Sequence, residues 1–415
     1  MTKLEHVLDS GRNLPLVGRL GQAPRTTGPV CAVPGEPPFG DYFTPLYGNV
    51  WRPDIDKMRA AGINVVKLYA GDPDKNAGEP GSAGKWKEFL DYCYNNGDRP
   101  IYVVMFSFTL GGEIANGAGL DTYIKQYTAL VKSTVNHKAV FGYMIGNEIF
   151  GGGVTDNEQF WTNFGKLIDA ADEAGRSQGA LPFLMTAIND EFVEGRWKAI
   201  LKGEESHKLG NLDAWCINIY RGSQIGGNGN SPFTQYAEMM QKLNVPGVNP
   251  LILGEWGTPH TTRPATEYSK PAITPVINLD DVPESQMGKG KPYFDAVPVG
   301  DFLTEQWDTI KANLKKPGYA HNRNAGAVRV CVGRFIFDWC DEYWKGNNRG
   351  VQVGGPNPGF LGAAFAGGYW DEAGFGVTGA VSGADASGRP VFKGYNAMKS
   401  FYAESSHRGQ ELYGE

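Results

Sequence analysis

The chain contains few cysteines, and their arrangement indicates no disulfide framework. There are five, an odd number, widely spaced and without a Cys-x-x-Cys pair: Cys31, Cys93, Cys216, Cys331 and Cys340. The sequence allows one disulfide bond, but it does not indicate a disulfide-rich fold. The six histidines also lack the spacing of metal ligands, so the sequence predicts no metal site.

Long apolar runs and an excess of positive charge are missing as well. No segment approaches the roughly 18 consecutive apolar residues that a membrane-spanning helix needs. The formal net charge is −6 and no basic block occurs, which argues against nucleic acid or anionic lipid as a partner. Residues 1–6 carry no apolar signal-peptide core, so we expect a cytosolic chain or a mature domain whose leader has been removed.

Apolar residues, by contrast, are plentiful. Of 415 residues, 41% are hydrophobic and 12% aromatic, which suffices for a large core and excludes a disordered chain. The 57 glycines and 26 prolines follow no repeat and indicate long ordered loops. Because no low-complexity linker interrupts the sequence, we predict one domain over residues 1–415, with 1–46 as an N-terminal extension that holds the first strand.

From residue 52 onward, strand-like apolar runs alternate with helical patterns. Strands are predicted at 63–69, 100–106, 139–148, 183–188, 212–220, 250–256 and 327–339. Helices are predicted at 52–61, 86–96, 120–136, 156–177, 193–203, 232–243, 301–315 and 391–403. The first helix is expected to open at Arg52-Pro53-Asp54 and to close at Gly62, because proline favours the first turn and glycine the end of a helix.

This rhythm yields seven strand–helix units, and an eighth strand would close an α/β barrel of the (β/α)8, or TIM-barrel, type. The missing first strand must lie within residues 14–50, with 28–33 as the candidate. The rival fold is an open doubly wound sheet. Its nucleotide-binding version is disfavoured because no Gly-x-Gly-x-x-Gly follows the early strands.

Two of the predicted strands end in a glutamate. The apolar runs at 142–147 and 251–254 lead into Glu148 and Glu255, and apolar runs of this kind are typical of buried parallel strands. Carboxylates at the C-terminal ends of barrel strands lie where such barrels place their chemistry. The two glutamates could therefore meet across one barrel mouth, although each could also merely begin a solvated loop.

A facing pair of carboxyl groups is the equipment of a glycosidase. Retaining enzymes hold them about 5–5.5 Å apart, one protonated and one ionised, whereas inverting enzymes separate them by about 6.5–9.5 Å. Glu148 and Glu255 fit the retaining arrangement in residue type. Three further acidic residues could instead supply a partner for an inverting mechanism: Asp341, Glu342 and Glu372.

The order of motifs resembles glycoside hydrolase clan A, the retaining (β/α)8 enzymes, over nearly all of residues 47–403. The motifs are Asn147-Glu148 after the fourth strand, Asn218-Ile219-Tyr220 on the sixth, Gly254-Glu255-Trp256-Gly257 on the seventh and Trp339 on the eighth. The resemblance implies that Glu148 is the acid/base and that Glu255 is the nucleophile.

The same resemblance implies roles for three neighbours. Asn147 would hydrogen-bond the 2-hydroxyl of the sugar, Tyr220 would donate to the nucleophile, and Trp339 would form the floor of the reactive subsite. Each has an alternative: Asn147 could cap the next turn, and Tyr220 and Trp339 could be core aromatics. Lys67 stands where many clan members carry arginine, a departure because lysine lacks the bidentate geometry.

Two further pairs of segments narrow the resemblance to enzymes of β-glucans. Residues 47–55 and 64–73, which include Lys67 and Tyr69, are similar to the β-1,3-glucanosyltransferases of fungal walls and their bacterial relatives. Residues 337–345 and 370–376 are similar to bacterial clan members assigned to β-glucans. The remaining candidates for contact with the substrate are Lys67, Tyr69, Trp256, Asp341, Glu342, Trp344 and Trp370, although aromatics beneath long loops more often form a small packed core.

The sequence therefore predicts a retaining β-glycoside hydrolase or transglycosylase that acts on a β-linked glucan. It requires no metal or organic cofactor, and its partner is an oligo- or polysaccharide. The alternatives are a catalytically silent carbohydrate-binding barrel, an enzyme for another β-linked polysaccharide such as mannan, and a phosphosugar lyase or isomerase. The last is disfavoured because no glycine-rich phosphate loop lies near the final strands. A polymeric substrate favours a secreted or periplasmic location, with a cytoplasmic one left open.

Overall fold

A computed structural model of the chain describes residues 15–20, 45, 48–69, 85–106, 114, 117, 119–149, 158–190, 195, 198, 209–225, 232–242, 251–262, 277–288, 290–293, 297–312, 331–342, 354–356, 365–366, 369–380 and 386–413. Among the helices in these ranges, none is long and apolar enough to cross a bilayer.

Eight parallel strands form a closed barrel in sequence order. They are β1 Pro15–Leu20, β2 Val65–Leu68, β3 Tyr102–Phe106, β4 Val140–Met144, β5 Leu184–Ile188, β6 Ala214–Asn218, β7 Leu251–Trp256 and β8 Cys331–Ile336. Closure comes from β1, which pairs with β2 on one side and with β8 on the other. The predicted (β/α)8 fold is confirmed, and the open doubly wound sheet is excluded.

The first strand lies within the predicted interval 14–50 but not at the candidate segment 28–33, which is outside the described residues. β1 occupies Pro15–Leu20 instead. Its Leu16 is in register with Val65 of β2 and with Phe335 of β8. Pro15, Gly18 and Arg19 dilute the apolar run, which is why its pattern did not single it out as a strand.

The helices run on the outside of the barrel. Those described are α1 Gly48–Ala60, α2 Lys85–Tyr94, α3 Leu120–Thr134, α4 Glu158–Arg176, α5 Pro232–Lys242, α6 Val299–Ala312 and α7 Lys393–Tyr413. The helix predicted at 193–203 lies outside the described residues except at 195 and 198. The other predicted helices are confirmed, although α7 continues ten residues beyond its predicted end at 403.

Helix α1 begins four residues earlier than predicted, at Gly48, so that Pro53 lies in its second turn. Proline has no N–H to donate to the carbonyl four residues before it. That carbonyl belongs to Asn49, and it accepts a hydrogen bond from the backbone N–H of Ala386 at 3.0 Å. A distant loop thus satisfies the group that Pro53 leaves free, and the helix passes through the proline.

The core has two layers that follow the alternation of side chains along each strand. On β6, Ala214 and Cys216 face the barrel interior, whereas Trp215 and Ile217 face the helices. Asn218 follows in the inward series at the C-terminal end of the strand. Inward residues at these strand ends meet at the barrel mouth, which is where the chemistry of such barrels lies.

The segments that follow β7 and β8 are joined to each other. Thr261–Thr262 pairs with Ile277–Asn278, and Gly354–Pro356 pairs with Tyr369–Asp371. The backbone N–H of His260 donates to the carbonyl of Gly374 at 2.8 Å. The described residues after the seventh and eighth strands are therefore connected to each other by backbone hydrogen bonding.

Candidate active site

Glu255 lies inside the barrel near the end of β7, with 6% of its surface exposed. Its Oε1 accepts a hydrogen bond from the Tyr69 hydroxyl, and its Oε2 accepts one from the Tyr220 hydroxyl at 2.9 Å. The Lys67 ammonium lies 3.7 Å from Oε1. Two donors and one cation thus surround the carboxyl group and fix its position.

Lys67 is fully buried. Its Nζ donates to the carbonyl of Gly254 at 2.8 Å and lies 4.4 Å from the centre of the Tyr69 ring. Such an enclosed ammonium does not reach a sugar in the mouth of the barrel. The predicted contact of Lys67 with the substrate is therefore replaced by a contact with Glu255, for which a point charge suffices and a bidentate fork is unnecessary.

Glu148 follows β4 and is exposed. Its backbone φ is +51° and that of Gly146 is +80°, so the chain takes a left-handed conformation at both residues. For glutamate this conformation is uncommon, and such residues cluster at active sites. The turn brings the carboxyl group to Asn218, whose Nδ2 lies 3.3 Å from Glu148 Oε1.

Asn147 and Asn218 connect the two glutamates. Asn147 Oδ1 accepts a hydrogen bond from Asn218 Nδ2 at 3.3 Å and lies 3.4 Å from the Tyr69 hydroxyl. Tyr69 in turn bonds Glu255, and Asn218 bonds Glu148. Three side chains thus form a continuous polar chain from Glu255 to Glu148. The structure places both carboxyl groups in one network at the C-terminal end of the barrel.

The Tyr220 ring packs on Phe375, with ring centres 5.4 Å apart, and on Phe365 and Phe337. Burial of the hydroxyl, followed by the negative charges of Glu255 and Glu372, holds the pKa of Tyr220 well above its ordinary value of 10. Tyr220 consequently stays neutral and remains a hydrogen-bond donor to Glu255 throughout the physiological pH range.

Two predicted sugar-contacting tryptophans lie in the layer between strands and helices. Trp339 has no exposed surface and packs against Tyr395 of α7, with ring centres 6.0 Å apart. Trp256 is equally buried and lies 6.5 Å from Trp307 of α6. Neither offers a face to a sugar here. The structure favours the alternative of core aromatics, because both side chains point away from the barrel interior.

Two of the rival carboxylates are also buried. Asp341 has no exposed surface and accepts hydrogen bonds from His260 Nε2 at 2.9 Å and from the backbone N–H of Gly376 at 3.1 Å. Glu342 is 1% exposed. The structure does not bring the predicted contacts Asp341 and Glu342 to a surface that a sugar could reach. Asp341 instead joins the segments after β7 and β8.

The third tryptophan has a different environment. Trp370 is 44% exposed, and its indole N–H donates to Glu372 Oε2 at 2.9 Å. It lies five residues before Phe375, which contacts Tyr220. Trp370 therefore remains a candidate for sugar contact beside the site. Trp344 lies outside the described residues.

Sequence reasoning missed Asn218 as a site residue, and it assigned Tyr69 to the substrate instead of to Glu255. A signal for both was present. Tyr69 follows Val65 and Lys67 at two-residue spacing, and Asn218 follows Ala214 and Cys216 in the same way. Polar residues at the inward positions of a barrel strand, close to its C-terminal end, are expected at the site.

No family model matches the chain, and no curated protein matches it significantly. Solved structures do. A β-glucuronidase from Ruminococcus gnavus in complex with D-glucuronic acid is 14% identical, with a TM-score of 0.47, and the match covers 87% of this chain and 46% of that one. The exo-β-1,4-mannosidase Op5Man5 from Opitutaceae bacterium strain TAV5 is 13% identical, with a TM-score of 0.47 and coverages of 86% and 56%.

GH5_18 from Streptomyces cattleya in complex with GlcNAc is 13% identical, with a TM-score of 0.48 and coverages of 87% and 75%. The chain spans about half the length of the β-glucuronidases that it matches. These neighbours are glycoside hydrolases by name, but the likenesses are remote. The fold and the site rest on the strands and side chains of this chain.

Proposed function

We propose that the protein is a retaining β-glycoside hydrolase or transglycosylase that acts on a β-linked glucan. One observation carries the proposal. Glu255, enclosed by two hydroxyl donors and an ammonium, is connected through Tyr69, Asn147 and Asn218 to the exposed Glu148. The two carboxyl groups thus have different environments, an arrangement that suits one to attack and the other to exchange a proton with a bound substrate.

In the first step, a carboxylate oxygen of Glu255 attacks the anomeric carbon and forms a glycosyl ester. The bond between that carbon and the glycosidic oxygen breaks, and its electron pair stays on the oxygen. Glu148 transfers its proton to this oxygen, and the shortened sugar leaves as an alcohol. Tyr69, Tyr220 and Lys67 hold Glu255 in the orientation for attack.

In the second step, Glu148 is a carboxylate and removes a proton from a water molecule or from a sugar hydroxyl. The oxygen of that acceptor attacks the anomeric carbon, and the ester bond to Glu255 breaks. Glu255 becomes a carboxylate again and Glu148 is reprotonated. Two displacements at one carbon retain its configuration. Water gives hydrolysis, and a sugar acceptor gives transfer.

The choice of a β-glucan rests on the sequence segments around Tyr69 and Trp370 that are similar to glucan-active enzymes. Asn147 supports a glycosidic substrate, because its Oδ1 faces Asn218 and Tyr69 and its Nδ2 is thereby directed elsewhere. An amide donor at that place suits the sugar 2-hydroxyl. Trp370 supplies an exposed indole for the apolar face of a pyranose.

The decisive experiment compares Glu255→Gln and Glu148→Gln with the wild type on a panel of unactivated β-glucans. We expect each variant to lose several orders of magnitude in turnover while it keeps its fold. Glu173→Gln is the matched control, since Glu173 is an exposed residue of α4. Wild-type rates in Glu255→Gln would refute the assigned nucleophile.

Two further measurements test the mechanism itself. A fluorinated-sugar trap followed by peptide mass analysis should label Glu255 covalently. Proton NMR of the first product should show the β-anomer before mutarotation, as double displacement requires. An α-anomer would indicate an inverting enzyme. Binding of glucans without turnover or labelling would indicate the silent carbohydrate-binding barrel.

A further inference from the structure

We infer that Asn218 is a positioning residue that orients Glu148 and Asn147 together for the proton transfers at the glycosidic oxygen. This role rests on the proposed function, and it concerns the acid/base side of the site alone. Among the described residues, the Asn218 side chain makes its hydrogen bonds to Asn147 and Glu148 and none to the nucleophile Glu255. From the end of β6, its amide group contacts both Asn147 and Glu148, which come after β4.

The strand fixes where this amide lies. Asn218 is the last residue of β6, and it is in register with Glu255 on β7. It is 2% exposed, so the side chain belongs to the barrel interior and not to a loop. A group anchored on a strand holds its position better than a group on a loop. The C-terminal end of β6 therefore offers a rigid support for Glu148.

The hydrogen bonds of the amide account for its orientation. Its Nδ2 carries two hydrogens and has two acceptors, Asn147 Oδ1 and Glu148 Oε1, each at 3.3 Å. The reversed amide would set an oxygen against both of these oxygens. Distances of 3.3 Å are long, but catalytic hydrogen bonds without substrate are often long and tighten in the reacting complex.

The oxygen of the Asn218 amide lies against Gly254. Asn218 Oδ1 is buried and has no hydrogen-bond partner among the described residues. It lies so close to Gly254 that a β-carbon there would be 2.6 Å from it. Only glycine admits this approach. The residue before the nucleophile thereby provides the space that lets Asn218 face Glu148.

The contact also selects the oxygen of Glu148 that carries the proton. A donor at Oε1 disfavours a proton on that oxygen, so the acid form of Glu148 carries it on Oε2. Oε2 is then the atom that donates to the departing oxygen. Loss of Asn218 would remove the contact that Glu148 receives from β6, whereas Glu255 would keep Tyr69, Tyr220 and Lys67.

This division predicts a dependence on the leaving group. A dinitrophenyl β-glucoside departs without a proton, whereas an unactivated β-glucan oligosaccharide needs one. We expect Asn218→Ala to lower kcat/KM about 10²-fold on the oligosaccharide, the scale of a misplaced catalytic group, and to change it little on the dinitrophenyl glucoside. The ratio of the two values is decisive, because the folded fraction of the variant cancels from it.

Asn218→Asp has the same shape but replaces the donor by an acceptor, and we expect the same change in the ratio. Both variants should also release the glycosyl enzyme slowly, with lower kcat and lower KM on the dinitrophenyl glucoside. Azide should restore that kcat, because azide attacks without a general base. Lys67→Met serves as the contrast, and we expect it to lower kcat/KM by the same factor on both substrates.

Equal losses of kcat/KM on both substrates, or no loss on either, would overturn the role of Asn218. Restoration by azide to the same extent in Lys67→Met would overturn it as well. A wild type that cleaves neither substrate and is not labelled by the fluorinated sugar would instead refute the proposed function. The two failures are therefore distinguishable.

Discussion

Lys67 on β2 and Glu255 on β7 face each other across the interior of the barrel, with Nζ and Oε1 3.7 Å apart. Their strands are not neighbours, because β1 and β8 lie between them. The ammonium is fully buried and the carboxylate nearly so. A buried charge requires an opposite charge or strong hydrogen bonds, and each of these residues provides that for the other.

Lys67→Met is expected to impair the nucleophile without touching the substrate. Methionine fills the space but leaves Glu255 without its cation, so the carboxylate loses its fixed orientation. We predict a fall in kcat/KM of about 10²-fold, since small displacements of reacting groups cost that much. Steady-state kinetics on glucan oligosaccharides would measure it. Lys132→Met, at an exposed position on α3, is the control, and equal rates in both variants would contradict the prediction.

Tyr220→Phe is expected to remove one hydrogen-bond donor from Glu255 while the aromatic ring keeps its packing. A hydrogen bond to a charged group contributes about 1.5–3 kcal/mol, so we predict a loss of about 10- to 100-fold in kcat/KM. The pKa of Tyr220 is raised, which keeps the donor intact well beyond neutral pH. Any fall of kcat/KM that the wild type shows on the alkaline side below pH ~10 must therefore come from another group. We expect the same fall in Tyr220→Phe. Its disappearance would show that Tyr220 titrates there.

His260 is expected to make stability depend on pH. Its Nδ1 lies 3.2 Å from Asn278 Oδ1, which already accepts from the N–H of Asp280, and its Nε2 faces the Asp341 carboxylate. Both ring nitrogens thus face acceptors, an arrangement that favours the doubly protonated ring. Burial lowers the pKa of His260, but Asp341 and the two hydrogen bonds outweigh this and raise it above 6.5.

Because the pKa of His260 is raised in the folded state, its contribution to stability is fully present below pH 6.5. This contribution is lost as the pH rises through the pKa of His260 in the folded protein. His260→Gln should therefore cost about 3 kcal/mol in mildly acidic solution, the scale of a broken buried ion pair, and less in alkaline solution. Urea unfolding of both proteins at several pH values would measure the difference. A difference that grows with pH would contradict the prediction.

Trp339 and Trp370 form a matched pair that tests their placement. Trp339→Ala should cost about 3–5 kcal/mol of stability, because it removes a buried indole from the outer core. Trp370→Ala should change stability by less than about 0.5 kcal/mol, as surface substitutions do, and should raise KM if the indole contacts the glucan. Urea unfolding and kinetics on the two variants would measure both effects. A KM effect from Trp339→Ala with unchanged stability would contradict the buried position.

Much of the barrel was predictable because apolar periodicity is a local property. Seven strands followed directly from runs such as those that precede Glu148 and Glu255. The eighth, Pro15–Leu20, was expected within an interval but not located, since its stability comes from pairing with β2 and β8 rather than from its own residues. Pro53 likewise suggested that a helix starts there. The helix instead begins earlier, because the backbone N–H of Ala386 satisfies the carbonyl that Pro53 leaves free.

The sequence alone determined the alternation of strands and helices and the two glutamates at strand ends, because both depend on spacing along the chain. Only the tertiary structure decided which side chains surround them. It turned Lys67 and Tyr69 toward Glu255, joined Asn218 to Glu148, and set Trp256, Trp339, Asp341 and Glu342 apart from the site. The direction of a side chain at a strand end depends on the backbone turn that follows and on partners from distant strands. No local pattern contains that information.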